Sequence, residues 1–102
     1  MRIDPLGPLT TGYAASVYRG HGVTLRYRVD DLTPKAAVTL RIRTLSGRLR
    51  KTLSLGWRWT GSVLGYRYSC GLARGTYRVS VYARDQAGNA QRRLGSATLR
   101  VL

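Results

Sequence analysis

Glutamate and phenylalanine are both absent from this 102-residue chain, and cysteine and histidine occur once each. A lone Cys70 excludes an intrachain disulfide and any zinc site built from several cysteines. A solitary cysteine packs as a small hydrophobe, so Cys70 is expected to be buried and unreactive. His21 stands between two glycines and reads as part of an exposed loop, and nothing near it supports a nucleophilic pair with Cys70. Without glutamate the carboxylates are Asp4, Asp30, Asp31 and Asp85. Asp30 and Asp31 are neighbours, so on a strand they face opposite ways and cannot act as an acid–base pair there. An enzyme needs a positioned acid, base or nucleophile. The expectation is therefore a non-catalytic protein with no cofactor. Asp30, Asp31 and Asp85 follow strand-like runs, where calcium ligands can gather, but no dense Asp/Asn run accompanies them, and turn formation is the simpler reading.

Long apolar runs are missing too. None approaches the roughly 20 residues of a membrane helix, so no membrane insertion is expected. Met1-Arg2-Ile3-Asp4-Pro5 opens no apolar h-region, so no signal peptide is visible. This leaves either an intracellular protein or a domain taken from a longer exported chain.

Positive charge is what the chain has in excess. Sixteen arginines and two lysines face four aspartates, for a net charge of +14. Such a surface attracts polyanions such as nucleic acid, acidic wall polymers or anionic lipid. Net charge by itself speaks only to non-specific attraction, and a GC-rich coding sequence gives the same arginine excess.

The dominant apolar period is two, the period of a strand with one wet face. It runs through Leu25–Val29, Val38–Arg43, Tyr77–Arg84 and Ala97–Val101, with weaker versions at Leu49–Leu55, Trp57–Trp59 and Tyr66–Tyr68. No helical stripe competes with it. Asp30–Pro34, Ser46-Gly47 and Asp85–Asn89 punctuate the runs as turns, and Gly56, Gly61 and Gly65 cut the middle third into short pieces. About seven short strands with turns every 8 to 12 residues indicate a sandwich or small barrel. The length suits one domain able to bury roughly two-thirds of its unfolded surface. The division expected is a loose lead-in over residues 1–14 and one β domain over residues 15–102. Trp57 and Trp59, two apart on one face, serve either as core or as a ligand platform, and the core is the preferred reading, because a chain without phenylalanine must fill its interior with Leu, Val, Tyr and Trp.

Leu72-Ala73-Arg74-Gly75-Thr76-Tyr77-Arg78-Val79-Ser80-Val81-Tyr82-Ala83-Arg84-Asp85, followed by Ala87-Gly88-Asn89, resembles the L-x-x-G-T-Y-x-V-x-V-x-A-x-D-x-A-G-N stretch of bacterial immunoglobulin-like domains of the hook-capping-protein and fibronectin type III-like kinds. Ala37–Thr44, Ser46-Gly47 and Lys51-Thr52-Leu53 look like that family's central hairpin. Tyr68-Ser69-Cys70-Gly71 stands where hook-capping-type domains often carry Trp-Asp-Gly, which points away from the flagellar branch. The resemblance implies an all-β, two-sheet antiparallel sandwich of about seven strands. It also implies a module that spaces, docks or adheres within a larger exported or wall-associated polypeptide, extracellular and monomeric. Within such a sandwich Tyr77, Val79, Val81 and Ala83 form an inner layer, and Asp85 caps the turn after it.

If the strands pair as in that family, the runs at 36–44, 47–55, 76–84 and 96–102 share one sheet. Its wet face then displays Arg41, Arg43, Arg48, Arg50, Arg78 and Arg100 with Tyr82 among them, a candidate site for an anionic cell-wall polymer, since guanidinium is a planar two-pronged donor. Arg26, Arg28 and Arg67 fall on the other sheet. The plain alternative is a solvated face that resists edge-to-edge aggregation. The other functional reading is a stand-alone basic β-protein that binds nucleic acid.

Overall fold

A computed structural model of the chain describes residues 7–102. Residues 1–6 of the expected lead-in, Asp4 among them, lie outside the described residues. The rest is all strand and turn: β1 (Leu9–Gly12), β2 (Ala15–Val17), β3 (Gly22–Asp30), β4 (Lys35–Thr44), β5 (Leu49–Trp59), β6 (Val63–Ser69), β7 (Gly75–Asp85) and β8 (Gly95–Val101). They form a three-stranded sheet, β1-β3-β6, and a five-stranded sheet, β2-β8-β7-β4-β5. One apolar core is shared between the two, which fits a β-sandwich. Among the described residues no helix is long and apolar enough to cross a membrane.

The period-two runs do what their alternation requires. Val23, Leu25, Tyr27 and Val29 of β3 point inward, as do Ala36, Val38, Leu40 and Ile42 of β4 and Tyr77, Val79, Val81 and Ala83 of β7. Leu99 and Val101 of β8 complete the five-stranded side, and Cys70 is buried among these side chains as a free thiol. The four runs expected in one sheet are neighbours in it, in the order β8-β7-β4-β5. Ser46-Gly47 forms the β4–β5 hairpin turn, where Gly47 N–H donates to the Thr44 carbonyl. Asp85 is only 3% exposed, and its carboxylate accepts from the backbone N–H groups of Ala87 and Asn89 at 2.9 and 2.8 Å. That carboxylate closes the turn that follows β7.

Four expectations need correction. There are eight strands, because Leu9–Gly12 is not loose: β1 pairs antiparallel with β3, and Thr10 is buried with its hydroxyl donating to the Arg93 carbonyl and accepting from Gly95 N–H. The chain passes so close there that a Cβ on Gly95 would lie 2.2 Å from the Thr10 carbonyl oxygen. Pairing is not purely antiparallel, since β2 runs parallel to β8 at the sheet edge. Gly56 and Gly65 do not interrupt their strands: β5 and β6 run through them. Lastly, Trp57 and Trp59 are not in the core, being 55% and 61% exposed.

Burial raises the pKa of the Tyr27 hydroxyl, with Arg58 pulling weakly the other way, and burial also raises that of Tyr68, helped by Cys70 and Tyr77. Both groups hold their protons more tightly folded than unfolded. Their contribution is therefore complete below the unfolded tyrosine value near pH 10 and is lost as pH rises through the raised folded values. Denaturant unfolding followed from pH 8 to 12 should show stability declining above about pH 10. A Tyr27→Phe/Tyr68→Phe double variant should decline less steeply, and an unchanged slope would refute the assignment.

Candidate polyanion-binding face

Cross-strand register decides which side chains share the outer face of the five-stranded sheet. Leu40 and Ile42 point inward, so Lys35, Ala37, Thr39, Arg41 and Arg43 of β4 point out. Their partners on β7 are Arg84 opposite Ala37, Tyr82 opposite Thr39, Ser80 opposite Arg41 and Arg78 opposite Arg43. Arg100 of β8 lies opposite Thr76, one outward step along β7 from Arg78.

Four of the expected arginines, Arg41, Arg43, Arg78 and Arg100, thus meet on one face. Arg48 lies in the hairpin turn rather than on a strand, exposed at the end of that face, with its N–H donating to the Thr44 hydroxyl at 3.0 Å. Arg50 is the unpaired residue at a register shift, because Ile42 pairs with Lys51 and Arg43 with Leu49. Tyr82 organises the centre. The Arg41 guanidinium stacks 4.6 Å from its ring centroid, and Arg43 donates to its hydroxyl at 2.8 Å. Arg26, Arg28 and Arg67 belong to β3 and β6, in the other sheet.

Sequence reasoning missed Lys35 and Arg84, and it set the core reading of Trp57 and Trp59 ahead of the ligand platform. A bulge in β5 hides the tryptophans. Val38 pairs with Gly56 and Thr39 with Ser54, which leaves Leu55 without a partner. One extra residue reverses the facing of everything after it. Leu53 and Leu55 point inward, whereas Trp57 and Trp59 point out opposite Ala37 and Lys35. Gly56 sits at φ +77°, a conformation that a side chain resists, so glycine belongs at that position. The available signal was Gly56 itself, since an isolated glycine inside a strand pattern marks a bulge.

Over β4, β7 and the segment after β7 lies an open cleft of about 400 Å³ lined by Ala37, Thr39, Arg41, Tyr82, Arg84 and Gln91; neither tryptophan lines it, and Trp57 stands on the β5 side of Ala37. Arg84 is held by a 2.7 Å hydrogen bond to the Gly88 carbonyl. Lys35 rests 4.5 Å above the Trp59 ring. Among the described residues the sole ion pair is Arg28–Asp30, on the other sheet. Asp31 accepts from Thr33, and Asp85 is turned into its own loop, so neither reaches the sheet face. No three His, Cys, Asp or Glu residues gather as a metal site among the described residues. The Cys70 and His21 main chains are hydrogen-bonded, yet Cys70 is buried while the exposed His21 ring stands edge-on to Tyr18.

Among the described residues such a face offers cations and aromatic rings and no carboxylate, an arrangement suited to holding an anion. Comparison of the chain with protein-family models and with curated proteins gives no match.

Proposed function

We propose that this protein is a non-catalytic immunoglobulin-like module of a larger exported or wall-associated polypeptide, and that it docks anionic polymer on the outer face of its five-stranded sheet. The immunoglobulin-like part of the reading draws on the strand order and on Tyr77. Tyr77 stands near the start of β7, and its hydroxyl donates to the Ala73 carbonyl at 2.6 Å. A tyrosine at that place, bonded back to the chain a few residues upstream, is the tyrosine corner of such sandwiches. The wall-associated setting and the monomeric state are what the family resemblance implies.

The observation that carries the docking reading is the direct pairing of Arg43 with Arg78. Like charges facing each other across strands destabilise a sheet. Arg41 and Arg100 add to the same field, and among the described residues no acid on the face offsets it. A bound polyanion relieves that repulsion.

The exposed Trp57 and Trp59 favour a second reading, a strand of single-stranded nucleic acid tracked by charge and stacking. Binding measured over a salt series against duplex DNA, an acidic wall polymer and a neutral polysaccharide separates the readings. The acidic wall polymer should remain bound near 0.15 M salt while the neutral polysaccharide does not bind. Weak binding to every polyanion, gone by about 0.15 M salt where screening acts beyond about 8 Å, would make the module a spacer and overturn the docking reading. Preference for DNA would install the second reading.

A further inference from the structure

We propose that the outer face over Ala37, flanked by Trp57 on β5 and by the Arg84 side of the cleft on β7, is a subsite for one ring of an acidic polysaccharide, a uronate-type sugar whose flat apolar face lies on the Trp57 indole and whose carboxylate meets Arg41 or Arg84. This rests on the docking role proposed for the sheet face and narrows its partner to one chemical class.

Three aromatic side chains point out from this sheet near the cleft, and two already carry cations. Trp59 lies under Lys35, and Tyr82 is stacked by Arg41 and approached by Arg43. Trp57 has no cation or aromatic partner among the described residues, is 55% exposed, and stands directly across the ladder from Ala37, which lines the cleft. It is the one open ring. Ala37 is small, which leaves room beside the indole for a ring-sized group. A guanidinium on the cleft wall matches a carboxylate with two parallel donors. Arg41 is held by Tyr82 and Arg84 by the Gly88 carbonyl, so neither must be ordered at the moment of binding, which lowers its cost. Gln91 spends its carbonyl oxygen on the Ala83 N–H at 3.0 Å and keeps its amide nitrogen as a donor at the cleft wall, suited to a ring hydroxyl.

Other anionic polymers fit less well. Tracking single-stranded nucleic acid uses a succession of open rings on which bases stack, and of the two exposed tryptophans Trp59 already carries Lys35 on its ring. A polyglycerol phosphate has charge but no ring to lie on the indole.

The test uses the whole chain with a purified oligogalacturonate, a polyglycerol phosphate, oligo-dT and a neutral glucan as probes. Oligogalacturonate should bind more tightly than polyglycerol phosphate of equal charge. Trp57→Ala should weaken it roughly tenfold, the scale of one aromatic stacking contact with its buried area, and leave the salt dependence intact. Trp57→Phe should retain most of the affinity. With Trp57 as sole indole in a Trp59→Phe background, fluorescence should change on saturation with oligogalacturonate. Thermal midpoints of the variants verify folding, which an exposed edge-strand side chain should not disturb. Binding untouched by Trp57→Ala but abolished by Arg41→Gln/Arg84→Gln would overturn the sugar subsite and leave the docking face standing. Equal affinity for polyglycerol phosphate, or tighter binding of oligo-dT, would overturn it likewise. No binding to any polyanion would remove both readings.

Discussion

Leu40→Ala should lower the thermal midpoint by about 8–40 °C, whereas Leu45→Ala, the same chemical change five residues on, should leave it nearly unmoved. Leu40 is 1% exposed on β4, the strand between β7 and β5, with Val81 and Leu53 as its ladder partners. Truncating a buried leucine costs the transfer energy of the removed carbons and opens a cavity that rigid neighbours cannot fill, about 2–5 kcal/mol together. A domain of this size holds only about 5–15 kcal/mol in all, and each kcal/mol moves its midpoint by about 4–8 °C. Leu45 sits in the hairpin turn and is 63% exposed. Its truncation belongs with surface changes, within about 0.5 kcal/mol. Calorimetry on the pair checks both. Similar losses from the two variants would mean that β4 is not the centre of the core.

The contrast between Leu40 and Trp57 shows which parts of the fold are legible in the residues alone. Around Leu40 the alternation of β4 agrees with its register on both neighbours, so local pattern and long-range pairing say the same thing. The same holds for β3, β7 and β8, and through them for the shared face of Arg41, Arg43, Arg78 and Arg100. Trp57 breaks the agreement. Leu53, Leu55, Trp57 and Trp59 keep one parity in sequence, and only the unpaired Leu55 beside Gly56 turns the last two outward. Parity across a bulge depends on a partner strand, and β4 begins 20 residues before Leu55. β1 was illegible for another reason. Its one buried side chain is a threonine, satisfied by Arg93 and Gly95 more than 80 residues away, and such bonds leave no local pattern. That tie to a distant segment is why Leu9–Gly12 forms a strand that its composition does not announce.

Changing Arg41, Arg43, Arg78 and Arg100 together to glutamine should weaken binding to an acidic polymer roughly a thousandfold at low salt, taking about 1 kcal/mol for each cation at an anionic surface and 1.4 kcal/mol per tenfold. The informative comparison is with a second variant carrying the same four-charge loss at Arg26, Arg58, Arg67 and Arg74. Arg26 and Arg67 lie on the three-stranded sheet. Arg58, exposed on β5 after the bulge and paired with Ala36, lies off the outer-face parity of Trp57 and Trp59, and Arg74 lies in the loop before β7. Both variants have the same net charge, so long-range attraction falls alike in both. What differs is the contact that each surface makes. A face that lies on the polymer also releases counterions, and losing four contacts should flatten the salt dependence by about 0.9 per contact on a duplex-like charge density. The control variant should keep the slope of the native protein and lose less affinity than the first variant. Equal losses and equal slopes in the two variants would mean that the polymer meets the whole basic surface. Arg43 and Arg78 would then face each other across the ladder with no ligand to relieve them.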